Sequence, residues 1–323
     1  MTRYGKNKVC AEFMAQHIPP ENIEIVPPIE ERTLPKRDLR EHPYRLLVTG
    51  SEGFIGKYLV NYLRNDPVYG EFVIDTLDIK NGQDLGDFTR PDIRYDCVIH
   101  LAAFADIRNS LDDPDRFWEN NVEKARGLFK YCEVNNIRLL YASSAGAKEW
   151  WLNPYATTKK VNEIMAPHNS VGMRFFNVYC ENFESRQDML FRMLEDKTAT
   201  YLTRHTRDWV HLEDVARAIL RLIPSTITGI VDIGSGQPTS VIELAEAFHQ
   251  GDLPIKEDTP GEPDELCAEI GKMDEIGWYP TYDILSLVRT HPGYEFNVGN
   301  KRVNQDESPE LETPQQEGKE EET

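Results

Sequence analysis

The apolar run Leu46-Leu47-Val48 passes directly into Thr49-Gly50-Ser51-Glu52-Gly53-Phe54-Ile55-Gly56. Few local geometries accept that order of residues. A buried strand must stop, the chain must reverse within a few residues, and a helix must start close to the strand it leaves. Gly50 permits the tight reversal, Gly53 lets a ligand approach the backbone, and Gly56 lets the helix pack on the sheet. The N-terminus of that helix offers unpaired N–H groups and partial positive charge, a seat for a pyrophosphate. Taken alone, such a glycine pattern also suits an ordinary turn. Its sequel narrows the reading. A strand-like run at 71–77 ends at Asp78, 22 residues past Gly56, close to the roughly 20 expected for an acid that binds a ribose diol.

The body of the chain repeats this plan. Runs at 45–49, 71–77, 97–101, 138–142, 171–176 and 230–233 each carry three or more large apolar residues with little polar alternation. Doubly buried parallel strands look like this. Helix-like segments intervene at 55–64, 115–135 and 155–165, then at 187–194, 212–222 and 240–249, the last opening with the capping-box pattern Ser240-Val241-Ile242-Glu243. The expected fold is α/β: a Rossmann-type doubly wound parallel sheet with a smaller C-terminal α/β substrate-binding lobe. Residues 44–180 read as the dinucleotide-binding domain. Residues 181–298 read mainly as the substrate lobe, with one strand returning to the large sheet. Residues 1–43, broken by Pro19, Pro20, Pro27, Pro28 and Pro35, read as an arm packed on the body or as a disordered lead-in, with a short helix at 9–18. Residues 299–323 are rich in Glu, Gln and Pro and are expected to be disordered.

A formal net charge of −19 argues against nucleic acid or an anionic membrane as partner. No run approaches the roughly 20 apolar residues of a membrane span, so a cytoplasmic protein is expected. The five cysteines are scattered and form no Cys-x-x-Cys pair. They read as small buried thiols, not as a disulfide framework or a zinc site. No histidine cluster suggests any other metal, and none is expected.

The second informative segment is Tyr155-Ala156-Thr157-Thr158-Lys159. Four residues apart, the phenol and the ammonium share one face of a helix. A free tyrosine has a pKa near 10 and is a poor base at neutral pH; a nearby positive charge stabilises its phenolate. An isolated Tyr-x-x-x-Lys more often pairs a surface aromatic with a solvated charge. Preceded by the glycine turn and by Ser144, it points to redox chemistry on an alcohol. Asp78 favours NAD over NADP, because a 2′-phosphate would meet its charge; Lys80 keeps NADP open.

Thr49–Gly56, Asp78, Asp84-Leu85, His100-Leu101-Ala102-Ala103, Ser143-Ser144-Ala145, Tyr155 with Lys159, Arg174-Phe175-Phe176-Asn177-Val178-Tyr179 and Arg207-Asp208-Trp209-Val210-His211 with Asp214 occur in order. As a set they resemble the extended short-chain dehydrogenase/reductase family, and within it the nucleotide-sugar epimerases and dehydratases. The resemblance implies a Rossmann domain that binds NAD through Gly50, Gly53, Phe54, Ile55, Gly56 and Asp78. It places Asp84 and Leu85 against adenine, and Leu101, Ala102 and Ala103 near the nicotinamide. Tyr155 becomes the base, Lys159 holds the nicotinamide ribose, and Ser144 bonds the reacting oxygen. Asn177 and Arg207 contact the diphosphate of a nucleoside-diphosphate sugar; an ion pair of Arg207 with Asp208 or Asp214 is the plainer alternative. Asn121 braces the lysine through water or makes an ordinary inter-helix bond. A homodimer, paired through the helices at 115–135 and 155–165, is also implied.

The dehydratases it resembles carry acids directly after the catalytic Ser or Thr, where this chain has Ala145 and Gly146. Epimerisation needs the fewest groups: the ketone turns over and hydride returns to its other face. Inversion at C4 of a UDP-hexose is the leading expectation. A heptose-type 6-epimerase, another isomerising or dehydrating enzyme, or a non-catalytic NAD-binding protein are the alternatives. The chain departs from the family in the short link between Ser144 and Tyr155, which carries Trp150 and Trp151. It departs also in Cys180 after Tyr179, and in having no arginine at 266–270.

Overall fold

The structure, a computed structural model, describes residues 44–65, 72–89, 93–181, 189–257 and 259–290. The expected arm at 1–43, with its short helix and Cys10, and the expected tail at 299–323 lie outside the described residues. In chain order the strands are β1 (Arg45–Thr49), β2 (Val73–Leu77), β3 (Cys97–His100), β4 (Arg138–Ser144), β5 (Ser170–Phe175), β6 (Asn177–Tyr179), β7 (Thr206–His211), β8 (Gly229–Ile233) and β9 (Pro238–Ser240). The helices are α1 (Phe54–Asn65), α2 (Ile107–Asp112), α3 (Pro114–Trp118), α4 (Lys124–Val134), α5 (Pro154–Met165), α6 (Leu190–Glu195), α7 (Leu212–Leu222), α8 (Val241–Ala247), α9 (Gly271–Asp274) and α10 (Ile284–Thr290).

Six strands form one sheet in the order β2-β1-β3-β4-β5-β8, every pair parallel. Both faces are covered, which is why the strands read as continuous apolar runs. Leu46, Val48, Ile99 and Leu140 point into a core shared with Leu59 and Leu63 of α1 and Val215 and Ile219 of α7. Their neighbours Leu47, Val98, Leu139 and Tyr141 point the other way, onto Leu128, Phe129 and Cys132 of α4. Each fully buried side chain of this size contributes about 1.5–3 kcal/mol. The chain leaves β1 for β2 on one side and resumes at β3 on the other. The crevice between β1 and β3 is therefore the switch point at which such sheets take ligands.

A second, three-stranded sheet runs β6-β7-β9, with β6 parallel and β9 antiparallel to β7. Its own core gathers Tyr179, Trp209, Phe191, Leu194, Leu244 and Ile284 from β6, β7, α6, α8 and α10.

Several expectations shift in detail. The helix expected at 115–135 is α3 and α4 joined by a π-helical turn over Glu119–Glu123. A wider turn with i→i+5 bonds of this kind often marks a functional site. Ser240 caps α8 as its pattern predicts, its hydroxyl accepting the Glu243 N–H at 3.0 Å. Cys97, Cys132 and Cys180 are buried, whereas Cys267 is exposed, its thiol facing the carbonyls of Gly236 and Ala268.

Candidate active site

The turn after β1 follows the residue chemistry closely. Gly50 has φ +73°, and its N–H donates to the Leu77 carbonyl at 2.9 Å. A Cβ on Gly50 would lie 2.6 Å from the Ala102 nitrogen, and one on Gly56 would lie 2.0 Å from the Gly50 carbonyl oxygen. A Cβ on Gly53 would meet just that same oxygen, at 3.2 Å. The turn is thus closed toward the protein at Gly50 and Gly56 and open at Gly53. Ser51 is buried, and its hydroxyl has no hydrogen-bond partner. An orphaned donor beside an open glycine fits a phosphate oxygen. The turn fits the pyrophosphate of a dinucleotide.

Asp78 ends β2 and ties it to this turn, its carboxylate accepting the Glu52 N–H and the Lys80 N–H at 2.9 Å each. Lys80 donates its ammonium to the Glu52 carbonyl at 3.0 Å and makes no pair with Asp78. Asp84 accepts from Gly86 and pairs with Lys124 at 2.8 Å; that partner holds its carboxyl below the usual range.

A cavity of about 830 Å³ opens along the carboxyl ends of the parallel strands. Of the residues expected to hold cofactor, Gly50, Gly53, Phe54, Ile55, Gly56, Leu101, Ala103, Tyr155 and Lys159 line it. Ser144, Asn177 and Arg207, expected at the substrate, line it too. Asp78, Asp84, Leu85 and Ala102 do not border it. The first three lie at the β2 end of the sheet, and Ala102 stands behind Gly50.

Helix α5 delivers Tyr155 and Lys159. Asn153 caps it, accepting the Ala156 N–H at 2.7 Å, and Pro154 occupies its first turn with φ already suited to a helix. The same Asn153 side chain donates to the Gly261 carbonyl at 2.9 Å. Lys159 is 3% exposed and donates to the Ala142 carbonyl at 2.8 Å, its ammonium 5.8 Å from the centre of the Tyr155 ring. Burial pulls that ammonium down to about 8. Ser144 sits at the end of β4, its hydroxyl accepting the Gly146 N–H at 3.2 Å. Behind it, Ser143 donates to Glu163 at 2.7 Å, and Arg174 grips Glu163 with two bonds of 2.7 and 2.8 Å.

Asn121 lies in the π-helical turn and clamps the loop after β3. It accepts the Phe104 N–H at 2.8 Å, and its amide donates to the Phe104 carbonyl and to Thr158 on α5. The inter-helix reading is the one these bonds meet, and Asn121 in addition fixes a wall of the cavity. His100 is buried and bonded to Thr49 at 2.7 Å; burial first, and then the Lys159 charge, push its pKa down to about 3.

Arg207 is buried in β7, and its partner is neither Asp208 nor Asp214. It reaches Glu262 at 3.3 Å and the carbonyls of Thr206 and Asp264 at 3.1 and 3.3 Å. Asp208 instead accepts from Ser235, Gly236 and Ala268. Asp214 accepts from Thr281 and Tyr282, bracing the segment before α10. Trp150 and Trp151 pack edge to face with centres 6.0 Å apart, and neither borders the cavity.

Sequence reasoning missed Glu262, Arg116 and Asp106 on the cavity wall. For Glu262 the signal was the Pro260-Gly261-Glu262-Pro263 turn. Nothing local marked the other two. It missed as well a trio of metal-ligand types, Cys180, Glu181 and His211, whose ligating atoms lie within 4.8 Å of one another. The His211 Nδ1 faces the Glu213 N–H at 3.2 Å, so a neutral ring carries its proton on Nε2 and donates to Glu181 at 3.2 Å. That ring has no lone pair left for a cation.

Comparison with known proteins agrees with this geometry. The model of the NAD dependent epimerase/dehydratase family matches residues 46–234. A putative UDP-glucose 4-epimerase of Methanocaldococcus jannaschii is 27% identical over 289 residues, covering 74% of this chain and 94% of the relative. Among solved structures, MoeE5 in complex with UDP-glucose and NAD superposes with a TM-score of 0.66 at 22% identity, covering 78% of this chain and 98% of MoeE5. TunA, an NAD dependent NDP-hexosamine 5,6-dehydratase of tunicamycin biosynthesis, gives 0.67 at 22% identity over 76% of this chain and 95% of its own. At such identity the two structures are likenesses of fold.

Proposed function

The chain belongs to the NAD dependent epimerase/dehydratase family, and we propose that within it this protein epimerises a nucleoside-diphosphate sugar, at C4 of a UDP-hexose. The chemistry that NAD would supply when bound is reversible hydride exchange at the sugar carbon. The Gly50–Gly56 turn and Ser51 would hold its pyrophosphate, Lys159 its nicotinamide ribose, and Asp78 would disfavour a 2′-phosphate. The residues do the rest. Tyr155, as phenolate, takes the proton of the sugar hydroxyl and later gives it back; Lys159 supplies the positive charge that makes this phenolate accessible near neutral pH. Ser144 donates to the reacting oxygen. Asn177 and Arg207 grip the diphosphate, for which Arg207 exchanges Glu262 for phosphate oxygens.

One observation carries the choice of epimerisation. The cavity wall after Ser144 continues as Ala145 and Gly146, with no carboxylate to drive elimination of water from the keto sugar. The carboxylates that the described residues place on the wall have partners away from Ser144, Asp106 in the cap of α2 and Glu262 in an ion pair with Arg108 at 3.7 Å. Residues 44–180 serve the cofactor and 181–298 mainly the sugar nucleotide in this proposal, with β8 returning to the large sheet. A cytoplasmic homodimer completes it. No helix among the described residues is long and apolar enough to cross a membrane.

Proton NMR of the protein with NAD, offered UDP-glucose, UDP-N-acetylglucosamine, their galacto epimers and an ADP-heptose, tests the reading. We expect the anomeric signal of a galacto or gluco epimer to grow, and to be absent with Tyr155→Phe. A 6-deoxy product would make the enzyme a dehydratase. Silence across the panel, with NAD bound, would favour a binding protein without turnover.

A further inference from the structure

Among the described residues three cations line the cavity, and two are already engaged. Lys159 is buried against the Ala142 carbonyl, and Arg207 is locked to Glu262 and to two backbone carbonyls. Arg116, on the exposed rim, differs from both. Its backbone N–H belongs to the Asp113 cap of α3, and its guanidinium carbon lies 4.7 Å from the centre of the Phe104 ring. Among the described residues, no carboxylate pairs with Arg116, and its side chain makes no hydrogen bond. Asp106, the nearer carboxylate in sequence, spends its oxygens on the N–H and side-chain amide of Asn109. Phe104 is not a loose support, since Asn121 holds its N–H and carbonyl at 2.8 and 3.0 Å. A guanidinium resting on a clamped ring keeps its five N–H donors for another partner.

The charge balance gives that partner its sign. Among the described residues the wall carries Lys159, Arg207 and Arg116 against Asp106 and Glu262, a positive excess of one. In this structure Glu262 offsets Arg207, and Arg116 is the cavity cation that has no carboxylate partner among the described residues. We infer that Arg116 is a specificity-determining residue that binds an anionic oxygen of the substrate, either of the diphosphate or of a carboxylate carried by the sugar. This inference rests on the nucleotide-sugar reading above.

The test is equilibrium binding of UDP, UDP-glucose and UDP-glucuronate to the NAD-loaded protein, its Arg116→Gln variant and its Arg116→Lys variant. Charge-assisted hydrogen bonds at a rim correspond to about a tenfold change in affinity. A diphosphate contact predicts about tenfold weaker binding of all three ligands by Arg116→Gln, with partial recovery in Arg116→Lys. A sugar-carboxylate contact predicts that the parent prefers UDP-glucuronate and that Arg116→Gln erases this preference alone. In turnover, KM rises while kcat stays, which a merely structural arginine would not produce. Unchanged affinity for all three in Arg116→Gln overturns the inference and leaves the nucleotide-sugar reading standing. A parent that binds none of the three overturns that reading, and the inference with it.

Discussion

Lys159 holds its ammonium 5.8 Å from the centre of the Tyr155 ring while donating to the Ala142 carbonyl at 2.8 Å. The carbonyl of β4 keeps the charge from swinging away, so the helical turn between the two residues sets their separation. Burial lowers this ammonium to about 8, and it loses its proton as pH rises through that value. Turnover is therefore expected to fall on the alkaline side with a midpoint near 8, in a kcat profile recorded from pH 6 to 10. Lys159→Met should lower kcat at pH 7 by about 100-fold or more. A parent profile flat to pH 10 would remove Lys159 from the chemistry.

Gly53→Ala separates cofactor seat from scaffold. The added methyl meets one backbone oxygen at 3.2 Å, against 2.0 Å for the same change at Gly56. Gly53→Ala should fold normally and bind NAD about tenfold more weakly, because the methyl fills the open side of the turn. Gly56→Ala should impair folding itself. Fluorescence titration with NAD beside thermal unfolding distinguishes the two; undiminished NAD affinity in Gly53→Ala would move the pyrophosphate away from this turn.

His100 makes the protein acid-sensitive. Its folded pKa, about 3, lies below the unfolded value of 6.5, so between those values the unfolded chain binds the proton and the native one does not. Stability is present above 6.5 and falls as pH drops toward 3. This histidine alone should remove about 2 kcal/mol between pH 7 and pH 5. Urea unfolding of the parent and of His100→Gln at both pH values checks it: the pH-dependent difference should shrink by that amount in the variant.

Asp214 is fully buried and accepts from the Thr281 N–H and hydroxyl and from the Tyr282 N–H at 2.8–3.2 Å, besides pairing with Arg217. Asp214→Ala leaves those donors and that charge unmatched, at a cost of about 3–5 kcal/mol. Chemical denaturation should show the loss. Removing Arg217 as well should recover part of it, since the uncompensated charge leaves with it.

The large sheet was legible because its strands are buried on both faces and so spell continuous apolar runs; the six expected runs all recur, with ends displaced by at most two residues. The small sheet was not. Strand β7 reads Thr-Arg-Asp-Trp-Val-His, and its Arg207, Asp208 and His211 are buried. They are buried because partners up to 60 residues away satisfy them, and no local pattern announces such partners. The π-helical turn was equally silent, since the side chains of 119–123 suit an α-helix as well. In the site, the glycines, Ser144, Tyr155 and Lys159 were legible through spacing along one element. The Arg207–Glu262 pair, the Asp84–Lys124 pair and the cavity position of Arg116 depend on which loops meet, and spacing does not encode that.

The bond from the Asn153 amide to the Gly261 carbonyl bears on modularity. One side chain starts the helix that carries Tyr155 and also anchors the turn that carries Glu262. The two ends of the cavity are therefore pinned at a common point, although 108 residues separate them in sequence. A graft that imported the 259–264 turn from another protein would have to preserve an acceptor for Asn153. Without it, a change meant for the nucleotide end would release the first turn of the reacting helix, so recombination here must exchange the two segments together.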